Sequence, residues 1–176
     1  MDNNVVILRA PGLERDLDRL FRWELTRRRG YDAPMGAHVP SRMDLWAFLR
    51  SYRHDLAADG QMRFMIDTDE DAEDAVTVGT VDLCDYDAGD SSAYVGIFIA
   101  EEMRGRGYGK MALQALSAEA HRLGLCVLRA VVAPENAASV RLFESAGFVL
   151  GSDHAPESGS LLTYASDLSG YSLKSE

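Results

Sequence analysis

The chain has few cysteines and no long apolar run. Only two of its 176 residues are cysteine, Cys84 and Cys126, and each lies in an apolar segment that predicts a strand. We expect two buried free thiols, with a disulfide or a catalytic thiol as the alternatives. No apolar stretch approaches the roughly 20 residues of a membrane-spanning helix, and the run at 5–8 is too short for a signal peptide. We therefore expect a cytoplasmic protein without a membrane partner.

Positive charge is also scarce. Lysine and arginine number 18 against 28 aspartates and glutamates, which gives a formal net charge of −10. This balance argues against a nucleic-acid partner, because nucleic acids are bound by basic surfaces. It is compatible with a cationic small molecule such as a polyamine, through long-range attraction, or with solubility alone. Apolar residues make up 47% of the chain, enough for a core that needs no metal or disulfide.

The hydrophobic pattern predicts four helices and seven strands. Apolar residues recur at three- and four-residue spacing over 13–28, which predicts an amphipathic helix. A capping-box pattern at 41–44 predicts the start of a second helix, with apolar positions from Leu45 to Leu56. The other helices are predicted at 107–124 and 137–146. The predicted strands are 5–8, 62–66, 76–83, 94–100, 126–133, 148–150 and 161–168.

The order of these elements predicts the fold class. Strands joined by turns run antiparallel, whereas a helical crossover joins parallel strands. The helix over 107–124 lies between the strands 94–100 and 126–133, so this pair is predicted to be parallel. The result is an α/β fold with a mixed, mostly antiparallel sheet, formed by one domain over residues 1–168. Residues 169–176 are predicted to be a polar tail.

A glycine-rich, basic segment separates the fourth strand from the third helix. Its sequence is Arg104-Gly105-Arg106-Gly107-Tyr108-Gly109-Lys110. Unpaired N–H groups and the helix dipole form an anion site at such a helix start, and glycines let the main chain approach a phosphate closely. With three cations beside it, the segment favours a pyrophosphate; a tight turn with incidental glycines is the alternative. The spacing matches neither a P-loop nor a dinucleotide-binding fingerprint.

Two segments together resemble the signatures of a known family. Arg104-x-x-Gly107-x-Gly109 is similar to the Gln/Arg-x-x-Gly-x-Gly/Ala signature of the GNAT family of N-acetyltransferases. The segment from Asn136 to Phe148 resembles that family's second signature, an Asn, a helix with an aromatic residue, and Gly-Phe. The resemblance covers residues 94–148 and looks nearest to the polyamine and ribosomal-protein alanine N-acetyltransferases. It implies a GNAT-like seven-stranded sheet and acetyl transfer from acetyl-coenzyme A (acetyl-CoA) to an amine.

The resemblance also implies roles for individual residues. In this family the coenzyme's pantetheine arm bonds to an exposed strand edge where two strands part, here the strands 94–100 and 126–133. The loop amides are expected to hold the pyrophosphate, Asn136 to support the arm, and the backbone amide near Ile99 to stabilise the oxyanion. The expected coenzyme-binding residues are Ile97, Phe98, Ile99, Arg104, Gly105, Arg106, Gly107, Tyr108, Gly109, Lys110, Asn136, Ser139 and Phe143.

Both side chains that usually move protons in this family are missing. Phe143 stands where many members have a tyrosine that acts as the acid, so it is expected only to bind the arm. Tyr94 stands where many members have a glutamate that acts as the base. Ser139, one helical turn after Asn136, and Tyr94 itself are the candidate replacements; a surface serine and a packing tyrosine are the alternatives. A site that relies on positioning and the oxyanion donor could also work.

The acceptor side of the family fold carries acidic and aromatic residues here, which suit a cation. The candidates are Glu24, Tyr31, Asp32, Trp46 and Asp82, the last expected at the end of the third strand. Helix packing, surface charge and a solvated turn carboxylate are the alternative interpretations. No metal is expected.

Other function classes stay open on the sequence alone. A coenzyme A-binding domain without catalysis is the main alternative, because Phe143 and Tyr94 replace the usual proton carriers. An acyl carrier for longer acyl groups is another. Family members often form dimers, so the resemblance alone implies a homodimer.

Overall fold

A computed structural model describes residues 5–27, 40–68, 75–151 and 161–170 of the chain. The chain divides into two compact units, which are described separately. The helical unit is Ala10–His54, and the sheet unit combines Met1–Arg9 with Asp55–Glu176. The prediction of one domain over 1–168 stays a prediction.

The helical unit contains α1 (Leu13–Arg27) and α2 (Arg42–Ser51), which pack against each other. The predicted capping box is present at the start of α2. Asp44 N donates to Ser41 Oγ at 3.1 Å, and Ser41 N donates to Asp44 Oδ2 at 2.7 Å. The buried leucines of the two helices are Leu17, Leu20, Leu45 and Leu49. These four periodic positions therefore form the buried faces, as the pattern predicts, whereas Leu25 near the end of α1 is 46% exposed.

The second helix is shorter than predicted. The apolar spacing predicts its continuation to Leu56, but it ends before Tyr52, whose backbone is extended. Leu56 instead begins a separate helix, α3 (Leu56–Asp59), which belongs to the sheet unit. The cause is Asp55, whose side chain accepts a hydrogen bond from Ala58 N at 3.1 Å and caps the new helix. The described chain thus has a fifth helix where four were predicted.

Seven strands form the sheet unit. They are β1 (Ile7–Arg9), β2 (Met62–Asp67), β3 (Thr77–Asp87), β4 (Ser92–Ile99), β5 (Val127–Val132), β6 (Val149–Leu150) and β7 (Leu162–Asp167). Their order in the sheet is β1-β2-β3-β4-β5-β7-β6. Among these described strands only β4 and β5 are parallel neighbours. The predicted α/β fold, a mixed sheet with a central parallel pair, is confirmed.

Two further helices complete the sheet unit, α4 (Tyr108–Arg122) between β4 and β5, and α5 (Ala137–Ser145) after β5. The apolar stripe of α4 packs on one face of the sheet, and its Leu113 and Leu116 are at most 1% exposed. Burial of one leucine side chain contributes about 2 kcal/mol, so this stripe fixes α4 on the sheet. It thereby fixes the glycine-rich loop, at the N-terminus of α4, beside the end of β4.

The hairpin between β3 and β4 is tighter than the sequence predicts. The composition predicts a turn over 85–92, but β3 continues to Asp87, which pairs with Ser92. The pairing shifts register between Cys84 and Asp87, and within this shift Asp85 has a φ of +49°. A bulge of this kind absorbs the extra residue and lets the pairing resume.

None of the described helices has both the length and the apolar character needed to cross a membrane.

Candidate active site

β4 and β5 pair at their first residues and then part. The pairing ends at Tyr94 and Arg129. β4 continues to Ile99 and β5 to Val132, and no pairing joins these described ends of the two strands. The sheet therefore opens between its two central strands, at the place that the family resemblance implies.

Backbone groups of β4 point into this opening. Ala100 N donates to Val78 O at 2.9 Å, so these two residues form a hydrogen-bonded pair between β4's end and β3. Hydrogen-bonded and non-hydrogen-bonded pairs alternate along an antiparallel ladder. The N–H and C=O groups of Ile97 and Ile99 therefore point away from β3 and toward the side where β5 has departed. Such an edge can accept an extended amide chain as an added strand.

The segment between β4 and α4 forms a turn suited to an anion. After a 3₁₀ turn at Glu101–Met103, Gly105 and Gly107 have φ values of +74° and +86°, which residues with a Cβ rarely adopt. The first intrahelical bond of α4 runs from Met111 N to Gly107 O at 3.2 Å. The N–H groups of the preceding residues lie at the helix N-terminus, where the helix dipole also favours an anion.

Three cations surround this helix start. Arg104, Arg106 and Lys110 are all exposed. Arg104 makes a contact that the sequence does not indicate, because its Nε donates to Ile99 O at 3.0 Å. Its guanidinium thus links the loop to the last residue of β4, the strand whose edge faces the opening.

Two residues of the loop have structural roles besides the expected coenzyme contact. A Cβ at Gly109 would lie 3.1 Å from Leu142 Cδ1 and 3.8 Å from Ile99 Cγ1, so the glycine permits close packing of α4 on α5 and β4. Tyr108 buries its side chain in the core. It can therefore offer an anion only its backbone N–H.

Asn136 caps the N-terminus of α5. Its Oδ1 accepts a hydrogen bond from Ser139 N at 3.1 Å, the bond expected of an N-cap residue. This role was not predicted, although an Asn before an apolar periodic segment is a capping signal. The same first turn carries the half-buried side chain of Ser139.

Phe143 lies in the core of the sheet unit. It is 4% exposed, and its ring meets that of Phe148 edge-on, with 5.1 Å between the centroids. Phe148 N also donates to Phe143 O at 3.0 Å, directly after α5 ends. Packing in the core therefore accounts for the two phenylalanines of the second signature in this chain. The expected contact of Phe143 with the pantetheine arm stays a prediction.

Tyr94 lies at the point where β4 and β5 part. It pairs with Cys84 of β3 and Arg129 of β5, and its side chain is half-buried. The neighbouring Arg129 donates hydrogen bonds to Ser92 and, at 2.6 Å, to Asp90. The Arg129 bond, followed by that of Ser92, lowers the pKa of the Asp90 carboxyl. A phenol is thus held beside a fixed guanidinium at the base of the opening.

Asp82 does not end the third strand, and that expectation was wrong. It lies within β3, opposite Gly96, and Arg63 of β2 donates to its two oxygens at 2.8 and 2.9 Å. The strand continues because the bulge described above lets the pairing resume at Asp87. Side chains alternate between the faces of a sheet, so Asp82 shares a face with Tyr94.

The two cysteines are free but differ in exposure. Cys84 is half-buried, and Cys126, which precedes β5, is exposed. The prediction of two buried thiols is therefore wrong for Cys126, because that residue lies outside the packed strand. Burial, followed by repulsion from Asp85 and Asp82, raises the pKa of the Cys84 thiol to about 11. A neutral thiol of this kind does not suit a nucleophile.

The remaining candidates for the acceptor side lie elsewhere. Glu24 of α1 and Trp46 of α2 are half-buried residues of the helical unit. Arg50 Cζ lies 4.9 Å from the Trp46 ring centroid, so this ring already contacts a cation. Tyr31 and Asp32 lie outside the described residues. Within the described part of the chain, no group of three or more His, Cys, Asp or Glu side chains could hold a metal ion.

Comparison with protein families decides the class of the protein. Residues 6–149 match the model of the acetyltransferase (GNAT) domain. The chain belongs to the GNAT acetyltransferase family. The expected enzyme class, an N-acetyltransferase, and the expected acetyl donor, acetyl-CoA, are confirmed with it.

Solved structures of acetyltransferases share this fold. A spermidine N-acetyltransferase from Vibrio cholerae, in complex with CoA and spermine, has a TM-score of 0.74 at 22% identity, covering 93% of this chain and 96% of that chain. A dodecameric structure of a spermidine N-acetyltransferase from the same organism has a TM-score of 0.72 at 25% identity, covering 97% and 98%. The microcin C7 self-immunity acetyltransferase MccE, in complex with acetyl-CoA and AMP, has a TM-score of 0.73 at 17% identity, covering 94% and 93%. No curated protein sequence matches the chain significantly.

The residues of the opening and the loop fit coenzyme A. An amide chain such as pantetheine needs a strand edge that pairs with no neighbouring strand. Ile97 and the N–H of Ile99 provide this edge, while Ile99 O accepts the bond from Arg104. A pyrophosphate needs backbone donors and positive charge, which the first turn of α4 and its three cations provide. In a chain with a net charge of −10, this local concentration of cations favours a polyanion at the loop.

Proposed function

We propose that this acetyltransferase transfers acetyl from acetyl-CoA directly to a polyamine, another small amine or a protein N-terminus. The observation that carries the proposal is the opening of the sheet between β4 and β5, directly beside the N-terminus of α4. The spermine in the Vibrio cholerae structure and the net charge of −10 both favour a polyamine among these acceptors.

The coenzyme side of the proposed site uses mainly backbone groups. The N–H groups of 105–110 bind the pyrophosphate, with Arg104, Arg106 and Lys110 supplying charge. The edge of β4 at Ile97–Phe98–Ile99 binds the pantetheine arm, and α5 supports the arm from the other side through Asn136, Ser139 and Phe143. Backbone donors suit this task because the rigid strand and helix hold them in place before the coenzyme arrives.

Ile99 supplies the electrostatic part of the catalysis. Its N–H points into the opening, where it can donate a hydrogen bond to the carbonyl oxygen of the acetyl group as negative charge develops there. The amine attacks directly, so no acyl-enzyme is required. Positioning of the amine and the acetyl group side by side accelerates the reaction further.

Two protons have to move during the reaction. An alkylammonium ion has a pKa near 10 and must lose one proton to solvent before the amine attacks. The nitrogen loses a second proton as the amide forms, which balances the proton that the leaving thiolate gains. We assign the second step to Tyr94, with Ser139 as the other candidate. Tyr94 is favoured because a phenol is a far better proton donor than a serine hydroxyl.

The proposed acceptor side uses acidic and aromatic residues. Asp82 lies on the sheet face that Tyr94 shares, and its charge is balanced by Arg63. Glu24 and Trp46 are proposed amine contacts because an acidic and an aromatic side chain suit a cation. Tyr31 and Asp32 are proposed on their residue type alone.

We further propose a cytoplasmic homo-oligomer, with the dimer as its smallest form. The dodecameric Vibrio cholerae structure supports self-association. Exposed apolar side chains on and beside β5, β6 and β7 also support self-association. They are Val131, Val149 and Leu161, which are 46%, 70% and 52% exposed. Light scattering coupled to size-exclusion chromatography tests this proposal, and a monomer at micromolar concentration would contradict it.

The decisive experiment measures thiol release from acetyl-CoA with a panel of polyamines, amino sugars and N-terminal peptides. Gly107→Glu is the control, because a bulky anionic residue at a φ of +86° both strains the loop and repels a pyrophosphate. Release that depends on spermidine or spermine and disappears in the control supports the proposal. Coenzyme binding without release on any acceptor would support a non-catalytic domain, and release only from longer thioesters would support an acyl group other than acetyl.

A further inference from the structure

A β-bulge in β3 lies opposite the end of β4. The pairing of β2 with β3 shifts register between Ile66 and Asp67, which leaves Val78 as the extra residue of β3. Val78 O accepts the hydrogen bond of Ala100 N at 2.9 Å, so the bulge is bonded to the residue that follows Ile99. Bulges bend a strand locally and are frequent beside active sites, where they redirect neighbouring groups.

Gly79, the residue after this bulge, approaches β4 more closely than any other residue type could. A Cβ at Gly79 would lie 2.1 Å from Phe98 O and 3.1 Å from Ile99 Cα. Real Cβ atoms essentially never come closer than 3.0 Å to another heavy atom, so Phe98 O would have to move by about 0.9 Å, the difference between these two distances. The missing side chain at position 79 therefore sets the position of Phe98 O.

The carbonyl of Phe98 and the N–H of Ile99 belong to one peptide unit. Because a peptide unit is planar and trans, its oxygen and its N–H point in opposite directions and move together. Phe98 O faces β3, and Ile99 N–H faces the opening. A displacement at Phe98 O is thus transmitted to the proposed oxyanion donor without any intermediate residue.

Arg104 holds the next peptide unit. Its Nε donates to Ile99 O at 3.0 Å, on the side of β4 that faces the opening. This bond fixes the carbonyl of Ile99 from the loop side, while Val78 O fixes the following N–H, that of Ala100, from the β3 side. The Ile99–Ala100 peptide unit is therefore held from both sides, and the close approach of Gly79 positions the Phe98–Ile99 unit before it.

We propose that Gly79 and Arg104 are positioning residues for catalysis, which set the direction of the Ile99 N–H. This inference rests on the proposed function, because it assigns the Ile99 N–H to the acetyl oxygen. Neither residue needs to touch the acetyl group. A displacement of about 1 Å in a positioned group can cost about 10²-fold in rate, and loss of one oxyanion donor costs about 10²–10³-fold in kcat.

The proposal separates kcat from coenzyme affinity. Gly79→Ala displaces the peptide before Ile99 but leaves the first turn of α4, where the pyrophosphate binds, unchanged. We expect kcat to fall about 10²-fold, and the Kd for CoA, measured by isothermal titration calorimetry, to rise by a smaller factor, about tenfold at most, because only one hydrogen-bonding position of the pantetheine edge moves. The matched control is Gly96→Ala on β4, where the new Cβ meets only ordinary contacts at 3.7 Å with the Asp82 side chain; its kcat should stay within about threefold of the parent.

A second pair of variants keeps the test decisive if Gly79→Ala does not fold. Arg104→Gln keeps a hydrogen-bond donor for Ile99 O without the charge, and Arg104→Ala removes both. If Arg104 acts through positioning, both variants lose the same coenzyme affinity, but Arg104→Gln retains a kcat about tenfold higher than Arg104→Ala. Equal kcat values for the two variants, or a folded Gly79→Ala enzyme with an unchanged kcat, would overturn the proposal.

Failure of the proposed function has a different signature. If the parent releases no thiol with any acceptor, the enzyme assignment fails, and the positioning claim is then decided by NMR. Amide exchange of Ala100 N–H should be at least tenfold faster in Gly79→Ala than in Gly96→Ala, since its bond to Val78 O depends on the same geometry. Equal exchange rates in the two variants would overturn the claim by themselves.

Discussion

Arg63 of β2 and Asp82 of β3 are directly opposite each other on neighbouring strands. The Arg63 guanidinium donates hydrogen bonds of 2.8 and 2.9 Å to the two carboxylate oxygens of Asp82. Their side chains are 20% and 16% exposed, so the pair is largely removed from water. A largely buried charge that loses its partner is destabilising, because its desolvation is no longer offset. The pair therefore constrains what a substitution at Asp82 can reveal.

We expect Asp82→Asn to lower the free energy of unfolding by about 1–3 kcal/mol, measured by urea denaturation. The double variant Arg63→Met with Asp82→Leu should recover much of this loss, because it removes both charges. If Asp82 also binds the amine, Asp82→Asn raises the KM for spermidine in the folded enzyme. An unchanged stability in Asp82→Asn would contradict the structural role of the pair.

Asn136 offers a second test, in which capping and coenzyme binding can be separated. Asn136→Ala should cost about 1 kcal/mol of stability, because Ser139 N loses its acceptor. Asn136→Ser should keep the cap, since serine is also a good N-cap residue, but it removes the carboxamide. Thermal unfolding reports the cap, and calorimetry with CoA reports the contact with the arm. A serine variant with parental stability and weakened CoA binding would assign both roles to Asn136; parental CoA binding would leave only the cap.

The sheet topology and the loop were predictable because their signals are local or periodic. The apolar spacing of α1, the parallel pair created by a helical crossover, and the glycines before α4 each follow from a short segment. The early end of α2 was also signalled locally, by Asp55 as a cap, but the apolar position at Leu56 suggested continuity. A glycine inside a strand pattern indicates a bulge or a close approach, and Gly79 lies beside such a bulge although none was predicted there.

The contacts that depend on register could not be predicted from the sequence. The pairing of Arg63 with Asp82 requires the exact β2–β3 alignment, which the bulge at Val78 shifts. The bond from Arg104 to Ile99 O requires the path of a loop whose glycines permit several conformations. The exposure of Cys126 likewise depends on where β5 begins. These features depend on strand register and loop path, which cannot be derived from the local pattern of a single sequence.

The two cysteines should differ sharply in reactivity with iodoacetamide. A thiol pKa of about 11 leaves only about one Cys84 thiol in a thousand ionised at pH 8. Because the pKa is raised, the thiolate fraction of Cys84 grows about tenfold per pH unit as the pH rises toward that value. We expect mass spectrometry to show rapid alkylation of Cys126 and slow alkylation of Cys84. Cys126→Ser is the control that isolates Cys84, and rapid labelling of that folded variant at pH 8 would contradict the burial of the thiol.

The proton donor can be assigned by comparing Tyr94→Phe with Ser139→Ala. We expect Tyr94→Phe to lower kcat about 10²-fold, in the range that a general acid contributes, and Ser139→Ala to change it less than about fivefold. Stability should hardly change in Tyr94→Phe, because the aromatic ring of this half-buried residue is retained. The sharper readout is the leaving group: acyl donors whose thiols have lower pKa values need less protonation, so they should restore the rate of Tyr94→Phe toward that of the parent. If the loss in Tyr94→Phe is the same for every leaving thiol, Tyr94 does not act as the acid, and a matching pattern in Ser139→Ala would move the assignment to Ser139.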